Sequence, residues 1–116
     1  MSEEAGRTIN LIAKQAEDFI DSIRPPEDIR EQLDVGYTFE NNTLEIFEIR
    51  PRWDKQDEKV HTPVVKTQFV KTREVWVIYW MGKGGKWEKY PPKPEVDSIR
   101  DVFETLKNDH SGHFWG

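Results

Sequence analysis

Val75-Trp76-Val77-Ile78-Tyr79-Trp80-Met81 decides the fold. This unbroken apolar run is rich in β-branched and aromatic side chains, which suit a pleated sheet. It is as long as a strand and far shorter than the ~20 residues that cross a bilayer. A strand with no polar alternation is expected to have both faces covered. Helices can cover one face. The long polar loop described below, the C-terminal tail or a second subunit is expected to cover the other.

Strand and turn signals alternate on either side of this run. Gly82-Lys83-Gly84-Gly85 reads as a hairpin turn into a short strand from Lys86 to Tyr90, because a phosphate-binding loop would need a helix there. Upstream, Thr72-Arg73 reverses the chain after a strand from Pro63 to Lys71. Tyr37-Thr38-Phe39 and Leu44 to Ile49 flank Asn41-Asn42, a pair that tolerates the positive φ angles of a tight hairpin. Pro51 to Thr62 is polar and reads as a long, mobile hairpin loop whose start is tethered by Trp53.

Helical periodicity appears outside the meander. Ile9, Ile12, Ala16, Phe19, Ile20 and Ile23 form one stripe of a helix over 8–23, which Pro25-Pro26 ends. Pro26 is expected to open a second short helix anchored by Ile29 and Leu33. Tyr90-Pro91-Pro92-Lys93-Pro94 reads as a polyproline-like linker. Val96, Ile99, Val102, Phe103 and Leu106 share a face of a last helix over 95–107. The tail 108–116, with Phe114 and Trp115, is expected to fold back onto the domain. The expected fold is therefore α+β: an antiparallel four- to five-stranded β-meander flanked by an N-terminal helix pair and a C-terminal helix. It forms one domain over 1–116, with a helical segment 1–34 and the meander at 36–90.

The absence of cysteine excludes disulfides and thiolate chemistry, and fits a reducing cytoplasm, the expected location. The acidic start lacks the layout of a signal peptide, and no membrane partner is expected. Charge is segregated along the chain: residues 1–34 hold 4 basic and 9 acidic groups, residues 35–93 hold 11 and 8, and residues 94–116 hold 2 and 5. The net −5 thus belongs to the predicted helices, and the predicted sheet is mildly basic.

Blocks of tryptophan-containing sequence carry a resemblance. Arg50-Pro51-Arg52-Trp53, Thr62 to Lys66, Trp76 to Met81, Lys86-Trp87-Glu88-Lys89-Tyr90 and Gly112-His113-Phe114-Trp115-Gly116 together resemble a bacterial family catalogued as domain of unknown function 3024. The similarity covers about residues 36–116. It implies a small stand-alone protein and brings no activity, substrate or site with it.

Candidate binding residues are Arg50, Arg52, Trp53, Lys66, Lys71, Arg73, Trp80 and Trp87, with Lys86 and Lys89 beside them. Cations that track phosphates and rings that stack on bases are the two devices that hold single-stranded nucleic acid. The same residues can equally fill a core and ring a solvated edge. Arg50 and Arg52, two apart on an extended chain, could grip one anion together or pair with Glu48 and Asp54. His110 and His113, with Asp109, lie in a Gly-containing tail and read as surface or capping groups, so no metal or other cofactor is expected. Glu40, Glu45, Glu48 and Asp54 with Lys66 would suit a metal-dependent nuclease only if they converged, and the opposite parity of Glu45 and Glu48 argues against that. The leading expectation is a non-catalytic interaction module able to form a homodimer. Nucleic-acid binding and nuclease chemistry are the alternatives.

Overall fold

The structure is a computed structural model that describes residues 3–109 and Phe114. The chain runs α1 (Glu3–Ile23), β1 (Asp34–Glu40), β2 (Thr43–Pro51), β3 (Lys59–Val70), β4 (Val75–Met81), β5 (Trp87–Lys89), β6 (Glu95–Val96) and α2 (Ile99–Lys107). β1 to β5 form an antiparallel meander in chain order, and β6 also pairs with β4. This is the expected α+β meander, differing in how the flanking segments are arranged.

Each turn follows from local chemistry. Asn41 and Asn42 both take positive φ, 51° and 59°, so β1 and β2 are joined by the tight hairpin their side chains permit. Gly85, at φ 72°, sits in the β4–β5 turn. Glu74 is left-handed at φ 51°, a conformation that costs a non-glycine residue energy.

Four segments differ from expectation. Residues 26–33 form successive turns and no helix, closed by Ile29 N–H to Pro26 C=O and Leu33 N–H to Ile29 C=O. Ile29 is 44% exposed and anchors little. The supposed long loop 51–62 shortens to residues 52–58, because β2 continues to Pro51 and β3 begins at Lys59. The proline linker is an excursion within one strand path. Tyr90 N–H donates to Ile78 C=O, Ile78 N–H donates to Pro94 C=O, and β6 then resumes the ladder beside Trp76 and Val77. Prolines fit here because the bulged residues need no ladder donor. Finally, α2 begins at Ile99, after Ser98, whose Oγ accepts from Asp101 N–H and caps the helix.

The core lies on one face of the sheet. Leu44, Ile46, Val65, Trp76 and Ile78 are buried there against Ala16, Phe19 and Ile20 of α1 and Val102, Phe103 and Leu106 of α2. The helices meet through Phe19 and Phe103, stacked at 4.7 Å. Phe114, the described residue of the tail beyond Asp109, is buried on this side against the Tyr90 ring at 4.7 Å, and its N–H donates to Asp109 Oδ2. Tyr37 joins α1 to β1, and burial raises its phenol pKa, with Glu17 and Asp21 adding to the shift.

Arg24, just past the end of α1, reaches the start of β1 with a forked contact: Nε to Asp34 Oδ1 at 2.8 Å and Nη2 to Oδ2 at 2.7 Å. The Arg24 hydrogen bonds hold the Asp34 carboxyl below its ordinary range against partial burial, and the Val35 N–H assists. A depressed carboxylate stabilises the fold fully above its unfolded pKa of about 4, and the contribution fades as pH falls through the lower folded value. Asp34→Asn is therefore expected to be less stable than wild type at pH 7, with the gap closing well below pH 4. Urea unfolding at both pH values measures this. A gap of constant size would mean that the ion pair is not its source.

Candidate functional site

The second face of the sheet carries no helix among the described residues. Val77 is only 2% exposed yet lies outside the core cluster, which places it on this separate face. The same face carries Lys66 on β3, Tyr79 and Met81 on β4 and Trp87 on β5, with Phe47 and Ile49 further along β2, all of them half-buried. Long polar side chains of the sheet itself supply much of the cover. Lys66 Nζ sits 4.8 Å from the Tyr79 ring centre and 5.4 Å from that of Trp87. His61 stacks on Phe47 at 4.6 Å. Arg73 is bound to Glu95, whose strand position faces Val77. Among the described residues, then, it is side chains of neighbouring strands that lie over the second face of β4, while the loop of residues 52–58 stands at the far end of β2 and β3. Of the expected tail, residues 110–113, 115 and 116 lie outside the described residues. An ammonium over rings at a partly exposed site contributes about 0.5–1 kcal/mol.

The eight candidate residues separate into groups. Lys66 and Trp87 come together, with Tyr79 between them. Trp80 is on the opposite, helix-covered face, packed against the core, because it has the other parity on β4. Lys71 and Arg73 lie at the β3–β4 turn. Arg50, Arg52 and Trp53 lie at the far end, where β2 and β3 outrun the sheet. Tyr79 was missed, although its alternation with Trp80 and its place opposite Lys66 follow from strand parity once the register is known.

That far end is an arm. β4 pairs with β3 only from Val65 to Val70, so Lys59 to Val64 are held by β2 alone. At ~3.3 Å per residue the arm extends about 20 Å past the last pairing with β4. A register shift, with Val64 as the extra residue, lies within this stretch, and β1 flanks β2 as far as Ile49, so Arg50-Pro51 and Lys59-Val60 with the tip between them stand beyond the sheet. Pro63 fits in this stretch, since no strand on that side needs its missing N–H.

The tip is closed by Arg52. Its backbone N–H donates to Glu58 C=O at 2.9 Å. Its guanidinium takes Asp54 bidentately, at 3.0 and 2.7 Å, and Glu58 with a third N–H at 2.7 Å. Lys59 Nζ, at the last strand pair before the tip, donates to Glu31 C=O at 2.6 Å and fastens this end to the turns of residues 26–33. Trp53 does not tether the loop: it is 93% exposed and carried outward by this braced tip. Among the residues whose side chains are described, the other strongly exposed large apolar ones are Leu11, Ile29 and Val60. Val60 is on the arm and Ile29 is in the segment to which the arm is fastened.

The chain matches the family model of the domain of unknown function DUF3024 over residues 5–116. It belongs to that family. The match takes in α1 as well as the meander, so the family extends further toward the N-terminus than residue 36. No curated protein and no solved structure matches this DUF3024 chain.

The DUF3024 arrangement brings no carboxylate set together at the positions considered for a nuclease. Glu40 and Asp54 stand at opposite ends of the sheet, and Glu45 and Glu48 point to opposite faces. Among the described residues no three metal-ligating side chains gather; His110 and His113 lie outside the described residues. No helix among the described residues is long and apolar enough to cross a membrane.

Proposed function

We propose that this DUF3024 chain is a non-catalytic interaction module that docks another protein at the end where the arm stands. One observation carries this reading: Trp53 is 93% exposed on a tip that Arg52 holds rigid. Tryptophan is among the residues that most often dominate binding energy at interfaces. A loop already closed by ion pairs has less backbone entropy to lose on docking. Val60 and Ile29 extend the same apolar end.

Nucleic acid is the less favoured ligand. Arg50, Arg52 and Arg73 are each bound to acids of the same chain, at 3.4, 2.7 and 2.6 Å. Those cations would have to give up intramolecular carboxylates to track phosphates. Lys66 already occupies the space over the two rings that a base would stack on.

The test is chemical cross-linking of affinity-tagged chain in the cells that make it, with bound proteins and untagged copies quantified. Trp53→Ala and Val60→Ser are expected to lower capture at least fivefold. Leu11→Ser, on α1, leaves it unchanged, and all three variants keep their stability within about 0.5 kcal/mol as exposed positions do. Equal capture by all four chains would overturn the reading. So would low-salt binding of a single-stranded oligonucleotide that is lost with Lys66→Ala and unaffected by Trp53→Ala.

A further inference from the structure

The geometry points to a second copy of this chain as the partner, with the Trp53 arm of each protomer seated in a groove on the other. This rests on the reading of the arm as the docking element and identifies what it docks on. The groove lies between the helices and the sheet, floored by Phe19, Ile23, Leu33, Val35 and Leu106, with a volume of about 390 Å³. That volume falls in the range of pockets that hold a small ring system. Glu48 and Lys107 form its polar rim. Trp53 of the same chain is not part of this lining and stays exposed.

Three features match the arm to the groove. The first is chemistry: an indole is the exposed group on one side, and an aliphatic and aromatic floor is the receiving surface on the other. The second is charge. Glu48 on the rim is paired with Arg50 of its own chain and Lys55 with Glu58, but the arm tip also carries Asp57 and the rim Lys107. Opposite signs, Asp57 and Lys107, can therefore meet at each contact, which suppresses wrong registers.

The third is place. Glu48 lines the groove, and two residues further along β2 Arg50 begins the arm, so donor and receiver share one end of each molecule. A two-fold axis at that end lets each arm cross to the partner's groove while its own groove receives the partner's arm, an isologous and closed arrangement. Two buried indoles remove roughly 300–500 Å² from water, a large part of the ~1,000 Å² that a specific interface needs. Val60 and Ile29, exposed beside the arm, add to this area.

Light scattering on the full chain from about 1 to 300 μM tests the inference. Wild type is expected to reach the dimer mass, and Trp53→Ala to weaken dimerisation at least about thirtyfold, the effect of losing an interface hot spot. Leu33→Arg, at the half-buried lip of the groove, is expected to be monomeric too. Lys107→Glu, on the exposed last turn of α2, replaces it should Leu33→Arg lose the native circular dichroism spectrum. A mixture of Trp53→Ala with the groove variant retains one intact arm and one intact groove. It is expected to form a mixed dimer that neither variant forms alone.

Wild type that stays monomeric at 300 μM overturns the second copy as partner, and leaves the docking role to the capture experiment above. A dimer that survives Trp53→Ala, or one whose variants do not complement each other, overturns the arm-to-groove contact.

Discussion

Ile78→Ala is expected to remove roughly 2–5 kcal/mol of stability, the range for deleting a large aliphatic side chain from a core that cannot fully collapse. Domains of this kind are stable by about 5–15 kcal/mol in all, so the loss is a large share. Ile78 is 0% exposed on the helix-covered face of the central strand. Its backbone also holds both halves of the interrupted edge strand, accepting from Tyr90 and donating to Pro94. A cavity there loosens the contact with both flanking segments at once. Thermal unfolding should show a drop of about 10 °C or more. Met81→Ala, on the same strand but half-buried on the opposite face, should cost under about 1.5 kcal/mol. Equal losses at the two positions would mean that the core does not lie on one side of the sheet.

That asymmetry was only half legible in the sequence. The run from Val75 to Met81 declares a strand in the middle of a sheet, and Asn41-Asn42 declares the hairpin that precedes it. What the run cannot declare is how its second face is covered. The cover among the described residues includes Lys66, which reaches over Tyr79 and Trp87 from β3, and the Arg73–Glu95 pair beside Val77, and reading them requires the register. The same gap put Trp80 with Trp87. Adjacent residues on a strand face opposite ways, so Tyr79, not Trp80, shares the surface with Lys66.

The arm was misread for a different reason. Lys59-Val60-His61-Thr62 pairs along one edge only and faces solvent widely, so it lacks the apolar alternation that marks a half-buried strand. Pairing of Arg52 with Asp54 was one of the two readings open in the sequence, but Glu58 was not among the partners, because the loop that returns it to Arg52 is visible only in three dimensions. The proline segment reads as a linker because prolines cannot donate. Only Ile78 needed partners there, however, and Tyr90 and Pro94 supply them on either side of the excursion. In each case the missing information is a contact distant in sequence, which propensity and periodicity do not carry.

Phe103→Ala should cost about 3–5 kcal/mol, the range for truncating a buried aromatic, and its consequences should spread beyond α2. Phe103 is 7% exposed and lies nearly parallel to Phe19, with 17° between the ring planes at 4.7 Å. This stack is a principal contact between the two helices, which otherwise reach different strands: α1 packs on β1 and α2 on β4 and β6. Without it α1 loses support on one flank, and most of a helix's stability in a protein comes from packing its apolar face. Amide exchange should therefore accelerate through the second half of α1 as well as in α2, while β2 and β3 remain protected. Phe19→Ala should give the same pattern. The double variant should cost less than the sum of the two single ones, because the second truncation removes a stack already broken, and the shortfall should be about 0.5–1.5 kcal/mol. Strict additivity, or unchanged exchange in α1, would show that the helices are held independently by the sheet. The groove floored by Phe19 and Leu106 spans both helices and their meeting with β1. Loosening this joint should therefore also weaken self-association in chains whose arm is intact.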